Sequence, residues 1–184
     1  MSIKFYSGTD PQTGCFSNFS PHSVHVYGQT WKTSEHPFQA MKYWPHRPDL
    51  VKRVWEAPSP SIAARLGRHR GFPLREDWDS SPDEEMLKKV PKMALEIDDQ
   101  VSRPGVTAEP LFARVKDVVM YEVCLAKFSG NAEIRKTLVD TFPEALIEDA
   151  QYDPYWGWGC SHVGENKLGR ILMLVRLQLL KGGG

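Results

Sequence analysis

Three polar side chains stand at helical spacing near the start of the chain, and two of them suit acid–base or nucleophilic chemistry. In the segment TSEHPFQAMKY, Thr33–Tyr43, the residues Glu35, Gln39 and Lys42 stand at i, i+4 and i+7. If this segment is a helix, a carboxylate, an amide and an amine project from one face within about two turns. That set suits a reactive site, although the same stripe is common on ordinary solvated helix faces.

A second segment concentrates positive charge. Arg68, Arg70 and Arg75 fall within eight residues that glycine and proline interrupt. Guanidinium groups bind phosphate oxygens in pairs, so the cluster predicts a local clamp for a nucleotide or a sugar phosphate. The alternative is a set of surface salt bridges with the acidic residues among 76–79. Trp78 suits either stacking on a heterocycle or anchoring in the core.

The loop GCFSNFSP, Gly14–Pro21, alternates small polar residues with aromatic rings. Asn18 and Phe19 present an amide beside a ring, and aromatic rings stack on bases with about 1–3 kcal/mol each. The alternative is a packed turn in which the rings anchor the next hairpin.

A later loop, DPYWGWG, leads into the last predicted helix. Trp156 and Gly157 suit contact with a ligand because glycine allows close backbone approach, and the helix start near Asn166 offers free N–H groups to an anion. Asp153 equally suits a simple turn, since Asp-Pro is a common turn dipeptide.

Composition limits the class of protein. The 184 residues fit one domain with a sizeable core, and 23 basic residues balance 23 acidic ones, so no net field favours nucleic acid or a membrane. Three cysteines without metal-ligand spacing indicate a reducing compartment. No apolar run approaches the roughly 18 residues of a membrane span, and the start lacks a signal-peptide pattern. We therefore expect a cytoplasmic protein without membrane contact.

Most of the elements that must position these residues are helices. The predicted strands are Ile3–Ser7, Ala145–Glu148 and the hairpin pair Ser23–Tyr27 and Thr30–Lys32. The predicted helices are Ser34–Trp44, Pro48–Glu56, Ser59–His69, Ser81–Glu96, Leu111–Phe128, Ala132–Thr141 and Asn166–Leu180. A turn-rich loop is expected over Asp98–Pro110. The predicted fold is α+β, a single helix-rich domain over 1–180 with a small antiparallel sheet or hairpin, and a flexible tail over 181–184.

Six segments, in this order along the chain, resemble the NADAR (YbiA-like) family. They are Phe5–Ser7, Gly14–Pro21, Val24–Tyr43, Ser59–Trp78, Val119–Phe128 and Tyr152–Met173. The resemblance covers nearly the whole chain and implies a YbiA-like fold and N-glycosidase activity. Some members hydrolyse the ribosylamine bond of early riboflavin-pathway intermediates, and others remove ADP-ribose from modified guanine bases.

The resemblance also implies residue roles. Glu35 and Asp153 are expected to serve catalysis, with Trp78 near the base. Breaking an N-glycosidic bond builds positive charge at the anomeric carbon and negative charge on the leaving nitrogen, so such a site needs a carboxylate near the sugar and a proton donor near the base. Lys42 offers a second route, because a neutral amine can attack the opened ribose to form an imine. The resemblance favours this route over direct attack by water.

The chain departs from the family pattern twice. An extra segment lies around residues 80–110, where relatives often run directly from the DW motif into the long helix; a lid or a partner-binding element is a typical use of such an insertion. Trp158 stands where many relatives carry a small or acidic residue, which is expected to narrow the pocket.

The sequence thus predicts an N-glycosidase with catalytic Glu35, Lys42 and Asp153. Its substrate is a small ribosyl nucleotide or ADP-ribosylated guanine in nucleic acid. The residues expected to bind it are Asn18, Phe19, Gln39, Arg68, Arg70, Arg75, Trp78, Trp156, Gly157 and Asn166. The six histidines lack metal-ligand spacing, so metal-independent hydrolysis without a cofactor is expected. A catalytically silent ADP-ribose-binding module and an interaction protein built on the insertion are the alternatives.

Overall fold

The computed structural model of the protein describes residues 2–92 and 109–182. Its strands are β1 (Ser2–Phe5), β2 (Val24–Val26), β3 (Gln29–Trp31) and β4 (Ala145–Glu148). Its helices are α1 (Glu35–Met41), α2 (Pro48–Glu56), α3 (Pro60–Gly67), α4 (Glu84–Leu87), α5 (Val115–Ser129), α6 (Ala132–Asp140) and α7 (Lys167–Lys181), and a 3-10 turn covers Gly14–Phe16. The predicted α+β class, rich in helix, is confirmed.

The strands form two separate pairs. β2 and β3 make the predicted antiparallel hairpin, with Val24 opposite Trp31. Its turn residues Tyr27 and Gly28 have φ of 56° and 77°, the left-handed conformation that tight two-residue hairpins require. β1 and β4 pair in parallel, with Phe5 opposite Glu148. This pairing brings the first residues of the chain beside the end of β4.

Several helix boundaries follow local signals. α2 coincides with its prediction, and α3 begins after Ser59, whose hydroxyl accepts a hydrogen bond from the Ile62 N–H. The helix predicted over Ser81–Glu96 is wrong in its extent, because α4 starts after a cap at Asp83 and ends at Leu87. The remainder of that prediction from residue 93, and most of the loop predicted over Asp98–Pro110, lie outside the described residues.

α1 lies between two apolar clusters. Its Phe38 and Met41 pack into the main core, which is built largely from α5 and α7. Ala40 joins a smaller cluster with residues such as Trp31 and Leu50. Every residue of α1 is buried, and Lys42, which follows it directly, is partly buried. The stripe of Glu35, Gln39 and Lys42 is therefore not an ordinary solvated helix face.

The described part of the chain, 2–92 and 109–182, contains no helix long and apolar enough to cross a membrane.

Candidate active site

The polar face of α1 forms one wall of a cleft of about 670 Å³. The other walls come from the segment after β1, the loop that contains Asn18, and the chain from the end of β4 to Trp156. Of the residues predicted from the sequence, those that line the cleft are Asn18, Phe19, Glu35, Gln39, Lys42, Arg68, Asp153 and Trp156. Segments more than 130 residues apart in the chain thus meet around one space.

Glu35 is 7% exposed, and the Gln39 Nε2 donates a hydrogen bond to its Oε1 at 2.7 Å. Burial raises the pKa of Glu35, and the nearby Asp153 charge acts in the same direction. The Gln39 hydrogen bond and the positive charges of Lys42 and Arg68 oppose the shift. The carboxyl therefore retains a proton to higher pH than it would in water.

Lys42 lies in a setting that favours its neutral form. Its Nζ donates a hydrogen bond to the Gly67 carbonyl at 3.2 Å and stands 5.6 Å from the centre of the Phe38 ring. Burial lowers the pKa of Lys42 to about 8, against the opposing charge of Glu35 and with help from Arg68. At pH 7 roughly a tenth of such amines are neutral, far more than for an ordinary lysine. A neutral amine is a nucleophile.

Gly67 brings α3 close to the polar face of α1. A Cβ placed on Gly67 would lie 1.8 Å from the Gln39 Oε1 and 3.1 Å from the Gln39 Cβ. The Gln39 Oε1 itself is buried and has no hydrogen-bond partner within residues 2–92 and 109–182. Gly67 therefore leaves room for the amide that holds Glu35 and supplies the carbonyl that binds Lys42. No sequence pattern singles this glycine out.

Asp153 both initiates a turn and lines the cleft. Its Oδ1 accepts hydrogen bonds from the Tyr155 and Trp156 N–H groups at 3.1 and 2.9 Å, which is the geometry of a turn that an aspartate initiates. The same residue lines the cleft. The turn therefore fixes Asp153 and presents Trp156 beside it.

The three arginines do not form one clamp. Arg68 lines the cleft, and its Nε donates to the Ala64 carbonyl at 3.3 Å. Arg75 instead makes a paired contact with Asp77 at 2.5 and 2.6 Å, as the salt-bridge alternative predicts. Arg70 is exposed in the loop after α3 and, like Arg75, is not among the lining residues.

Trp78 is a core residue. It is 4% exposed, and its ring centre lies 5.4 Å from that of Phe38. Phe38 itself lines the cleft and meets the edge of Trp156 at 5.3 Å. Trp78 thus lies behind the cleft wall, which agrees with the anchoring interpretation.

Trp158 does not line the cleft that it is expected to narrow. Its indole N–H donates to the Asp149 Oδ1 at 2.6 Å, and the Lys4 amine stands 4.2 Å from the centre of its ring. Its side chain therefore ties the loop to the start of the chain.

Gly157 and Asn166, predicted to bind substrate, do not line the cleft. Both contact the main chain at the end of β4. The Asn166 Oδ1 accepts a hydrogen bond from the Glu148 N–H, and its Nδ2 donates to the Leu146 carbonyl, both at 2.9 Å. A Cβ on Gly157 would lie 2.7 Å from the Glu148 carbonyl oxygen. Both residues therefore fix the main chain around Glu148.

Glu148 is a carboxylate in the cleft that the sequence did not single out. It lines the cleft, and its Oε2 is buried without a hydrogen-bond partner in the described parts of the chain. Burial raises the pKa of Glu148 to about 8, with further contributions from Asp153 and Glu35. In the sequence it reads as the ordinary last residue of a short strand; the one available signal is its place five residues before Asp153.

Comparison with known proteins places this arrangement in a family. The model of the NADAR domain matches residues 4–180. The chain belongs to the NADAR family. The N-glycosidase YbiA of Escherichia coli K12 is 37% identical to this NADAR chain over 178 residues, which cover 96% of this chain and 88% of the relative. An N-glycosidase of Nostoc punctiforme is 34% identical over 180 residues, covering 97% and 93%.

A solved structure and a longer plant protein are also similar to this chain. The NMR structure of Escherichia coli YbiA matches this NADAR chain with a TM-score of 0.71 and 34% identity, covering 99% of this chain and 88% of the other. A chloroplastic riboflavin biosynthesis protein of Zea mays is 34% identical over an alignment of 191 positions, which covers 97% of this chain but 25% of the plant protein.

Proposed function

We propose that this NADAR protein is an N-glycosidase that hydrolyses the bond between the anomeric carbon of a ribose and a nucleobase-like amine. The observation that carries the proposal is the meeting of Glu35, Lys42 and Asp153 in one cleft of about 670 Å³. This bond cleavage needs negative charge near the sugar and a proton at the leaving nitrogen. The names of the Escherichia coli and Nostoc relatives support the same reaction class.

The lowered pKa of Lys42 supports a covalent route. In the ring-opened substrate, the neutral Lys42 amine adds to the imine carbon that derives from C1 of the ribose. The base then takes up a proton and departs as a neutral amine, which leaves an iminium between Lys42 and the sugar. Water then adds to this iminium, and collapse of the adduct releases the sugar aldehyde and the free amine. Glu35 and Asp153 stabilise the positive charge that develops at the sugar carbon.

The substrate class follows from the size and chemistry of the cleft. Its volume lies within the range of pockets that hold small ligands, roughly 300–1,000 Å³, and Arg68 offers a guanidinium to a phosphate. We propose either a ribosylaminopyrimidine phosphate, which the riboflavin-related name of the Zea mays relative supports, or ADP-ribose attached to guanine, free or in nucleic acid. The hydrolysis is proposed to be independent of metal, because the cleft's own side chains supply both the nucleophile and the acids.

The test is release of free base from both substrates by wild type and by Glu35→Gln. We expect wild type to release base from at least one substrate and Glu35→Gln to lose about 100-fold or more of that rate. The exposed Glu76→Gln variant is the matched control and should equal wild type. Tight binding without any base release would instead support the catalytically silent module. The interaction-protein alternative rests on residues 80–110, of which 93–108 lie outside the described residues.

A further inference from the structure

We propose that Glu148 is the acid–base residue at the leaving base: it protonates the departing nitrogen and afterwards takes a proton from the incoming water. The inference rests on the proposed N-glycosidase function and deepens it, because it assigns the proton donor that the reaction needs. It concerns a residue that no motif in the sequence indicates.

Several contacts from other segments fix the main chain around Glu148, the last residue of β4. Its N–H donates to the Asn166 side chain at 2.9 Å, and its carbonyl accepts from the Trp158 N–H at 3.1 Å. Gly157 packs so closely against that carbonyl that a Cβ there would lie 2.7 Å away. Phe5 of β1 pairs with Glu148 on the other side. Such support fixes the backbone from which the Glu148 side chain extends, and catalysis by a positioned group requires a fixed backbone.

One oxygen of the Glu148 carboxyl, Oε2, is buried in the cleft and lacks a hydrogen bond from the described residues. In contrast, the Glu35 Oε1 accepts from Gln39, and the Asp153 Oδ1 accepts two backbone N–H groups. A buried carboxyl oxygen without a partner carries a desolvation penalty of about 1–3 kcal/mol. A substrate nitrogen in the cleft would relieve that penalty.

The charges around Glu148 keep it in its proton-bearing form. Burial comes first, and the carboxyls of Asp153 and Glu35 add to it, so that its pKa rises to about 8. Three acids that share one space cannot all be ionised at neutral pH without strong repulsion. A proton on Glu148 removes one of the three charges and provides the donor.

The proton balance closes over one cycle. When the neutral Lys42 amine adds to the imine carbon, one of its protons passes to the base nitrogen, so that the adduct is neutral. The Glu148 carboxylic acid then gives its proton to the base nitrogen; the C–N bond breaks, and the base leaves as a neutral amine. The products are a positively charged iminium on Lys42 and the Glu148 carboxylate. Water then adds to the iminium carbon and gives a proton to Glu148. Transfer of the remaining hydroxyl proton to the Lys42 nitrogen releases the aldehyde and restores both side chains.

The experiment compares Glu148→Gln with wild type on a series of ribosylated amines whose leaving nitrogens differ in basicity. Glutamine keeps the shape but cannot donate a proton as an acid. We expect a loss of about 100-fold or more for the poorest leaving groups and a much smaller loss for the best ones. We also expect acetic acid in the buffer to restore part of the activity of Glu148→Ala, because a small acid can enter the space of the missing carboxyl.

The matched control is Asp149→Asn, the neighbouring acid, which accepts from Trp158 and does not line the cleft; it should keep the wild-type dependence on leaving group. Equal losses for all leaving groups, without rescue by acetic acid, would assign Glu148 a structural role and overturn the inference. A Glu148→Gln rate within threefold of wild type would overturn it as well, while leaving the proposed function intact. If wild type releases no base, the proposed function fails and this inference fails with it.

Discussion

At the scale of single residues, the lowered pKa of Lys42 comes from its surroundings. A lysine in the same position on a solvated helix would be almost fully protonated at neutral pH. Here burial lowers its pKa to about 8, and the positive charges of Arg68 and Lys116 act in the same direction. The neutral fraction that results is what makes a lysine nucleophile chemically reasonable.

Borohydride added during turnover should reduce the iminium and leave the sugar attached to Lys42. We expect wild type to gain the mass of the reduced ribosyl group on the peptide that contains Lys42, and Lys42→Ala to gain none. The exposed Lys52→Ala variant, as a control, should be labelled like wild type. An active Lys42→Ala protein together with an unlabelled wild type would favour direct attack by water.

The pH dependence of base release should be bell-shaped, with its maximum near pH 8. Below about pH 8 the rate falls because Lys42, whose pKa is about 8, becomes protonated and loses its lone pair. Above about pH 8 it falls because Glu148, also with a pKa of about 8, loses the proton it donates. The rising and falling sides of the profile report apparent pKa values of the site as a whole. A profile of kcat/KM from pH 5 to 10 checks this, and a rate that is flat across that range would contradict it.

The sequence predicts some of the cleft residues and not others, because only some of them follow a local pattern. Glu35, Gln39 and Lys42 are found because one helix sets their spacing, and a period of 3.6 residues is visible in the sequence. Glu148 is not found because its raised pKa comes mainly from burial in the folded cleft, which no local pattern in the sequence reveals. Trp78 looks the same in sequence whether it stacks on a ligand or on Phe38.

At the scale of elements, the approach of α3 to α1 decides the geometry of the polar stripe. Gly67 is the contact point, where the two helices meet over the Gln39 side chain. Any side chain there must push the amide away from Glu35 or separate the helices. The loop that contains Asn18 is fixed in a comparable way by the buried Lys127 of α5, which donates to the Ser17 carbonyl at 2.9 Å and the Ser20 hydroxyl at 2.8 Å.

Gly67→Ala should therefore reduce both activity and stability. We expect about a tenfold loss of base release, because Gln39 can no longer hold Glu35, and a destabilisation of about 1–3 kcal/mol from overpacking. Rates and thermal melting measure the two effects. Gly182→Ala is the control, since its Cβ would meet only ordinary contact at 3.5 Å, and it should match wild type. Full activity in Gly67→Ala would show that the amide does not position Glu35.

Local signals in the sequence predict most elements but not how they assemble. α2, β4 and the cap of α3 follow from proline, serine and apolar periodicity. The parallel pairing of β1 with β4 joins residues more than 140 apart, and no local pattern encodes it. That pairing places the end of β4 at the cleft.

At the scale of the whole molecule, the cleft opposes stability because it gathers acids away from water. Glu148 ionises freely in the unfolded chain, with an ordinary pKa near 4.3, whereas its pKa in the folded protein is about 8. The folded state therefore binds more protons than the unfolded state between these values, and stability is lost as the pH rises from about 4.3 to about 8. Active sites often carry such a penalty.

Removing that acid should stabilise the protein while it removes activity. We expect Glu148→Gln to raise Tm relative to wild type by an amount that grows between pH 5 and pH 8, because glutamine has no charge to bury. Thermal melting over this range is the measurement, and the exposed Glu76→Gln variant should follow wild type at every pH. A Glu148→Gln protein that is equally destabilised at all pH values would mean that the side chain serves packing alone.

The most direct test of the central claim is an experimental structure of the Glu35→Gln protein with an intact ribosylated substrate. We predict the sugar in the cleft, with its anomeric carbon roughly 3.5 Å from the Lys42 Nζ, Asp153 beside the sugar and the base nitrogen facing Glu148. A substrate bound elsewhere on the surface, with its ribose out of reach of all these side chains, would contradict the claim that this cleft cleaves the N-glycosidic bond.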